Sequence, residues 1–223
     1  MLTNNFSVAT KRVYEYLYGE IVSNRIRPGS ALSEVEIAKT LQSSRSPVRE
    51  AMMVLENEGL VWRYPGRGCF VREITIRDIA EIFELRILLE TAALHRSYQY
   101  IDPAALDLIE HQLNQLNPDT SPDDYFEADR QLHELIWKNC GNARLVSFLR
   151  TLSGQIEWVR RLASSRPDRF AQSKQEHLSI VAALKALNEA ESCRLLEAHI
   201  KNVQANTEMM CIQLSSNPGT ANH

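Results

Sequence analysis

Apolar side chains recur at three- and four-residue intervals along most of the chain, and the breaks in that rhythm divide it into elements. The first run covers about 8–24, with Val13, Leu17 and Ile21 one turn apart and Tyr14, Tyr16 and Tyr18 between them; Arg27-Pro28-Gly29-Ser30 ends it with turn residues. Ser33 with Glu36 three residues on has the spacing of a capping box, and the short helix it opens carries Ile37, Ala38 and Leu41 as its apolar positions. After the polar break 42–45, Ser46 reads as an N-cap with Pro47 at the first helical position. A third helix is therefore expected to run to about Glu58 and stop at Gly59. Leu60–Arg63 and Cys69–Arg72 are β-prone and flank Tyr64-Pro65-Gly66-Arg67-Gly68, a hairpin turn. Helix, short helix, turn, helix, hairpin is the order of a winged helix-turn-helix.

From about Arg77 onward the helical rhythm continues without a strand, in six blocks near 77–100, 103–116, 122–139, 142–164, 168–187 and 189–214. Asp102-Pro103, Asn117-Pro118-Asp119, Gly141-Asn142 and Arg166-Pro167-Asp168 separate several of them. The pattern predicts a mainly α protein. Residues 1–75 form a winged helix-turn-helix with a small β-hairpin wing, and residues 76–223 an antiparallel bundle of about six helices. The tail after Leu214 has turn-forming composition and is expected to fray.

Charge changes the picture once it is divided between these parts. Residues 1–75 hold ten Lys/Arg against eight Asp/Glu, a net of +2, whereas residues 76–223 hold fifteen against twenty, a net of −5. Any phosphate contact should come from the front of the chain. The four cysteines, Cys69, Cys140, Cys193 and Cys211, are widely scattered, without the spacing of a thiolate zinc site or a disulfide framework. No apolar run approaches the roughly 20 residues a bilayer requires, and the first ten residues lack the character of a secretion signal, so a cytoplasmic location without membrane attachment is expected.

Projected at about 100° per residue, the third helix places Val48, Ala51, Val54 and Leu55 on one side and Arg45, Arg49, Met52, Met53 and Glu56 on the other. The first set can pack on Ile37 and Leu41, which leaves Arg45 and Arg49 exposed near the helix N-terminus. Such a helix can enter the major groove, where arginine bonds guanine or neutralises phosphate. Ser46 and the free N–H groups at the helix start suit another phosphate. Arg67, at the hairpin tip between Gly66 and Gly68, can approach the backbone or the minor groove. A solvated face that happens to carry two arginines is the plainer account of the same helix.

The ordered stretch Leu32-Ser33-Glu34-Val35-Glu36-Ile37-Ala38, then Ser44-Arg45-Ser46-Pro47-Val48-Arg49-Glu50-Ala51, then Leu55-Glu56-Asn57-Glu58-Gly59-Leu60-Val61 resembles the GntR family of transcriptional repressors. The segment Gly66-Arg67-Gly68-Cys69-Phe70-Val71 resembles that family's wing. The resemblance implies that Arg45, Ser46, Arg49 and Gly66 contact DNA, with Arg67 an addition, and that the protein binds a palindromic operator as a homodimer.

Farther on, three histidines sit where a histidine is costly. His133 shares an apolar stripe with Tyr125, Phe126, Leu132 and Ile136, and Asp129 lies four residues before it. His177 shares a face with Ile180, Val181, Leu184 and Leu187, and His199 with Leu195, Leu196 and Val203. Each could be a hydrogen-bonded core residue. Together, Asp129, His133, His177 and His199 could equally form a site of three nitrogens and one oxygen, suited to zinc and also to nickel, iron or manganese. The order Asp-x-x-x-His, then Glu176-His177, then a histidine in the last helix resembles the FCD sensing domain of the FadR subfamily, and the six-helix count its VanR-like branch. That resemblance implies a metal on those four positions. Leu132 departs from the pattern, in which an aromatic residue commonly precedes the histidine. Arg86, within Glu84-Leu85-Arg86-Ile87-Leu88-Leu89-Glu90, either pairs with Glu90 along its helix or holds an acidic effector near the metal.

These readings point to a repressor whose DNA binding responds to a small carboxylate held in the bundle. A metal-responsive repressor is the alternative. A metal-dependent hydrolase is the weaker one: Glu134 or Glu176 would have to serve as base, and Glu134 points about 100° away from its neighbour His133 on a helix. Nothing in the chain resembles H-E-x-x-H or a two-metal carboxylate cluster.

Overall fold

A computed structural model describes residues 6–117, 119–162 and 167–216. The end of the tail expected to fray, 217–223, and part of the break before Pro167 lie outside them. The chain forms two compact units: residues 1–75 with 150–161, and residues 76–149 with 162–223.

The first unit holds α1 (Val8–Val22), β1 (Ala31–Leu32), α2 (Glu34–Thr40), α3 (Arg45–Asn57), β2 (Val61–Tyr64) and β3 (Gly68–Val71). Ser7 caps α1 and Ser33 caps α2, each hydroxyl accepting the backbone N–H three residues on. Val13, Leu17 and Ile21 of α1 are buried together with Val48, Ala51 and Leu55 of α3, on which α1 packs. Two residue pairs tie these helices: the Thr10 hydroxyl donates to Glu50 at 2.8 Å, and the Tyr14 hydroxyl donates to both Glu58 oxygens at 3.0 and 2.9 Å.

Two details of α3 differ from the expectation. The helix starts two residues early, with Ser44 as N-cap and Ser46 and Pro47 inside its first turn. Proline costs nothing there, because the first N–H groups of a helix have no intrahelical acceptor in any case. Met52, expected on the exposed side, is fully buried. α3 is covered by α1, α2 and β2, so its buried arc is wider than contact with one helix would make it.

The wing is a three-stranded antiparallel sheet in the order β1-β3-β2. β2 and β3 are the expected hairpin, with Tyr64 opposite Gly68; Gly66 and Gly68 take positive φ of 73° and 99°, the left-handed region that favours glycine. β1 adds a short third strand, Ala31 opposite Phe70 and Leu32 opposite Cys69.

The second unit is helical throughout its described residues. Its elements are α4 (Ile76–Ser97), α5 (Pro103–Gln115), α6 (Pro122–Lys138), the start of α7 (Ala143–Leu162), α8 (Pro167–Lys185) and α9 (Glu189–Ser216), six helices close to the six expected blocks. Asp102 and Ser121 cap α5 and α6, each with a proline in the first turn. α4 packs on α9 and α6, α8 on α9, α5 and α6. One apolar cluster joins Ala93, Trp137, Cys140, Leu145 and Leu149. No helix among the described residues is long and apolar enough to cross a membrane.

Candidate metal centre and DNA-binding face

Asp129 and His133 stand one turn apart on the inner face of α6, His177 projects from α8 and His199 from α9. All four are buried, and one ligand atom from each lies within 4.8 Å of every other. The Asp129 Oδ1 atom is 3.0 Å from His177 Nε2 and 3.8 Å from both His133 Nε2 and His199 Nε2; His177 Nε2 and His199 Nε2 are 3.1 Å apart. Three imidazoles thus turn the same nitrogen inward onto one carboxylate oxygen. Four polar atoms this close inside an apolar bundle would each bear a desolvation cost without a partner. The set fits a divalent cation: imidazole and carboxylate are the donors of zinc, nickel, iron and manganese sites.

Two further carboxylates orient the rings. Glu90, on α4, accepts from His133 Nδ1 at 2.5 Å, and Glu176, on α8, accepts from His199 Nδ1 at 2.7 Å. Each bond keeps the proton on Nδ1 and the lone pair on the inward Nε2, which is how outer carboxylates support metal-binding histidines. Burial, and then the neighbouring His177 and His133, push the His199 pKa well below the ordinary imidazole range despite the pull of Asp129, so its lone pair is available at neutral pH. Glu176 is held in turn by Arg169 at 3.0 Å and by the Asn202 amide at 2.9 Å. Burial works to raise the Glu90 pKa, but Arg86 and His133 prevail and bring it down to about 2.

Arg86 is buried as well. Its Nε donates to Glu90 Oε1 at 2.7 Å, the expected ion pair along the helix, and its Nη2 lies 3.0 Å from His133 Nε2. The guanidinium therefore reaches the candidate metal centre itself. The roles of Glu90 and Glu176 as partners of His133 and His199 were not anticipated from the chain. Arg130, beside the Asp129–His133 pair in sequence, points outward to Glu127 and Glu134. With Glu134 on Arg130 and Glu176 on His199, neither carboxylate is placed as a hydrolytic base.

In the first unit, Arg45, Ser46, Arg49, Gly66 and Arg67 are all exposed. Arg45, Ser46 and Arg49 occupy the first turns of α3, and Gly66 and Arg67 the tip of the β2–β3 hairpin. Arg49 is braced rather than loose: Nε and Nη2 donate to the Glu34 carboxylate at 3.4 and 3.0 Å. Ser46 donates to Glu50 at 3.3 Å.

Comparison with known proteins matches residues 9–71 to the bacterial regulatory proteins of the gntR family and residues 81–202, more than half of the chain, to the FCD domain. The chain is 26% identical over 196 residues to the HTH-type transcriptional repressor RspR of Escherichia coli K12, covering 86% of each. It resembles the crystal structure of a GntR transcriptional regulator from Rhodococcus sp. RHA1 with a TM-score of 0.71 and 26% identity, covering 90% of this chain and 98% of that one. The Zn2+-bound FCD domain of TM0439 shares the bundle at a TM-score of 0.54 and 23% identity, over 63% of this chain and 99% of that one. These relatives are transcriptional regulators and not enzymes. The chain belongs to the GntR family of transcriptional regulators, with a DNA-binding helix-turn-helix followed by an FCD domain.

Proposed function

We propose that this regulator is a repressor that binds a palindromic operator as a homodimer and answers to a small organic acid held at a metal in its FCD domain. The observation that carries the reading is the buried convergence of Asp129, His133, His177 and His199. Those four residues hold the ion, zinc in the first instance, with nickel, iron or manganese fitting the same donors. A cation held by these four donors would supply the charge that attracts an anion, such as a ligand carboxylate, into an apolar bundle. Arg86, on the same site, is the second group for that carboxylate. The zinc in the TM0439 domain and the repressor name of RspR support the reading.

At the DNA end, Arg45, Ser46 and Arg49 enter the major groove from the start of α3, and Gly66 and Arg67 follow the backbone or minor groove from the wing. An effector that binds two arrangements of the dimer unequally is enough to shift operator affinity. The test pairs metal analysis with operator binding. Wild type is expected to carry near one metal per chain, His177→Ala to lose it, and Arg49→Ala to keep the metal while losing operator affinity. Metal-free wild type after reconstitution would end the metal reading. Operator affinity that follows metal content alone, with added carboxylates inert, would make the protein a metal sensor instead.

A further inference from the structure

The buried charges around His133 change sign when a divalent ion arrives. Asp129 and Glu90 contribute two negative charges and Arg86 one positive, all almost wholly buried. Counted over these three residues, the charge is one negative without metal and one positive with a divalent ion on the four donors. Added positive charge is costly at this depth, so the loaded cluster favours a monoanion beside it. Glu176 and Arg169, nearer the surface, compensate one another.

The hydrogen bonds say which group yields. A guanidinium only donates, so His133 Nε2 accepts from Arg86 Nη2 with its lone pair, while its Nδ1–H serves Glu90. That lone pair is the one a metal would use, and it cannot serve both. Arg86 Nη1 is buried with no hydrogen-bond partner, while Nε stays on Glu90. Once Nη2 leaves His133, two parallel N–H donors are in hand, the fork that matches a carboxylate.

We propose that Arg86 is a stand-in cation: its guanidinium holds the His133 lone pair until a divalent ion takes it, then turns its freed donors to a small monoanionic carboxylate. Metal and anion therefore bind in that order, and each tightens the other by the same factor. This rests on the metal reading above and adds to it the order and the reciprocity. The test is zinc affinity of the full chain by competition with a chromophoric chelator, in acetate and in chloride at equal ionic strength. Wild type is expected to bind zinc more tightly in acetate. Arg86→Gln removes both the competitor and the repelling charge, and should bind zinc on the order of 10-fold more tightly than wild type in chloride, with no response to acetate. Arg86→Lys keeps the charge but lacks the fork, and should keep near-wild-type zinc affinity in chloride while losing the acetate response, so a misfolded glutamine variant does not spare the proposal. Zinc binding by Arg86→Gln no tighter than wild type, or a wild-type acetate response in either variant, overturns the exchange. If wild type binds zinc no better than His177→Ala, the metal reading falls and the exchange with it.

Discussion

Glu58, at the C-terminal end of α3, lies under Tyr14, whose hydroxyl donates to both carboxylate oxygens. Burial raises its pKa above the ordinary carboxylate value, and the Tyr14 bond only partly offsets this. A carboxyl whose folded pKa is raised stabilises the fold fully at pH below the unfolded value, and loses that contribution as pH rises through the folded value. Glu58→Gln keeps an acceptor for Tyr14 and removes the buried charge. The variant is expected to melt above wild type at about pH 7 and nearly level with it at about pH 3, below the ordinary carboxylate value, where Glu58 is mostly protonated in both states. An equal separation at the two pH values would show that charge is not the cause. At the metal centre the same kind of reasoning singles out Glu176. Glu176→Gln deprives His199 Nδ1 of its carboxylate and should weaken zinc binding about 10–100-fold, read by chelator competition, without unfolding the bundle. Position in sequence showed Arg86 and Glu90 one turn apart but could not show that Glu90 serves His133: a partner 43 residues on and on another helix leaves no trace in local spacing.

Among elements, the end of α3 carries the wing, and Gly59 makes the turn. Its φ of +72° is a conformation that costs an L-residue about 1–2 kcal/mol, and a Cβ there would come within 2.6 Å of the Gln155 side-chain amide. That amide donates to the Glu58 carbonyl at 2.8 Å, so the intrusion would also loosen an orphan carbonyl at the helix end. Gly59→Ala is expected to lower the stability of the first unit by roughly 1–2 kcal/mol in denaturant unfolding; an unchanged midpoint would mean that the turn is not strained. The glycine stop was legible because φ and residue type are locally coupled. The start of α3 was not, since Ser44 and Ser46 are both competent caps and proline is tolerated at several first-turn positions. β1 was missed for a different reason: two residues, Ala31 and Leu32, are too few to show an alternation, and only pairing with β3 makes them a strand.

In the molecule as a whole, the six helices of the second unit were readable because turn residues separate several apolar blocks and capping serines and aspartates mark helix starts. Periodicity tells which face of a helix is apolar but not what covers it, so nothing in the chain revealed that residues 150–161 of α7 group with residues 1–75. The four candidate ligands were readable because polar groups on apolar stripes stand out; their convergence required the fold. That convergence links α6, α8 and α9, while Glu90 brings in α4. An ion bound only by the folded bundle stabilises it by mass action, about 2.7 kcal/mol when free metal is 100 times the dissociation constant. Chelation should therefore lower the melting temperature of the bundle in wild type and leave His177→Ala unmoved, with excess zinc restoring the first and not the second. The DNA-binding unit supplies the internal control, since its stability rests on the α1–α3 core and the wing and not on these ligands. A chelator effect equal in wild type and His177→Ala would place its action elsewhere and leave the four residues as a hydrogen-bonded core cluster.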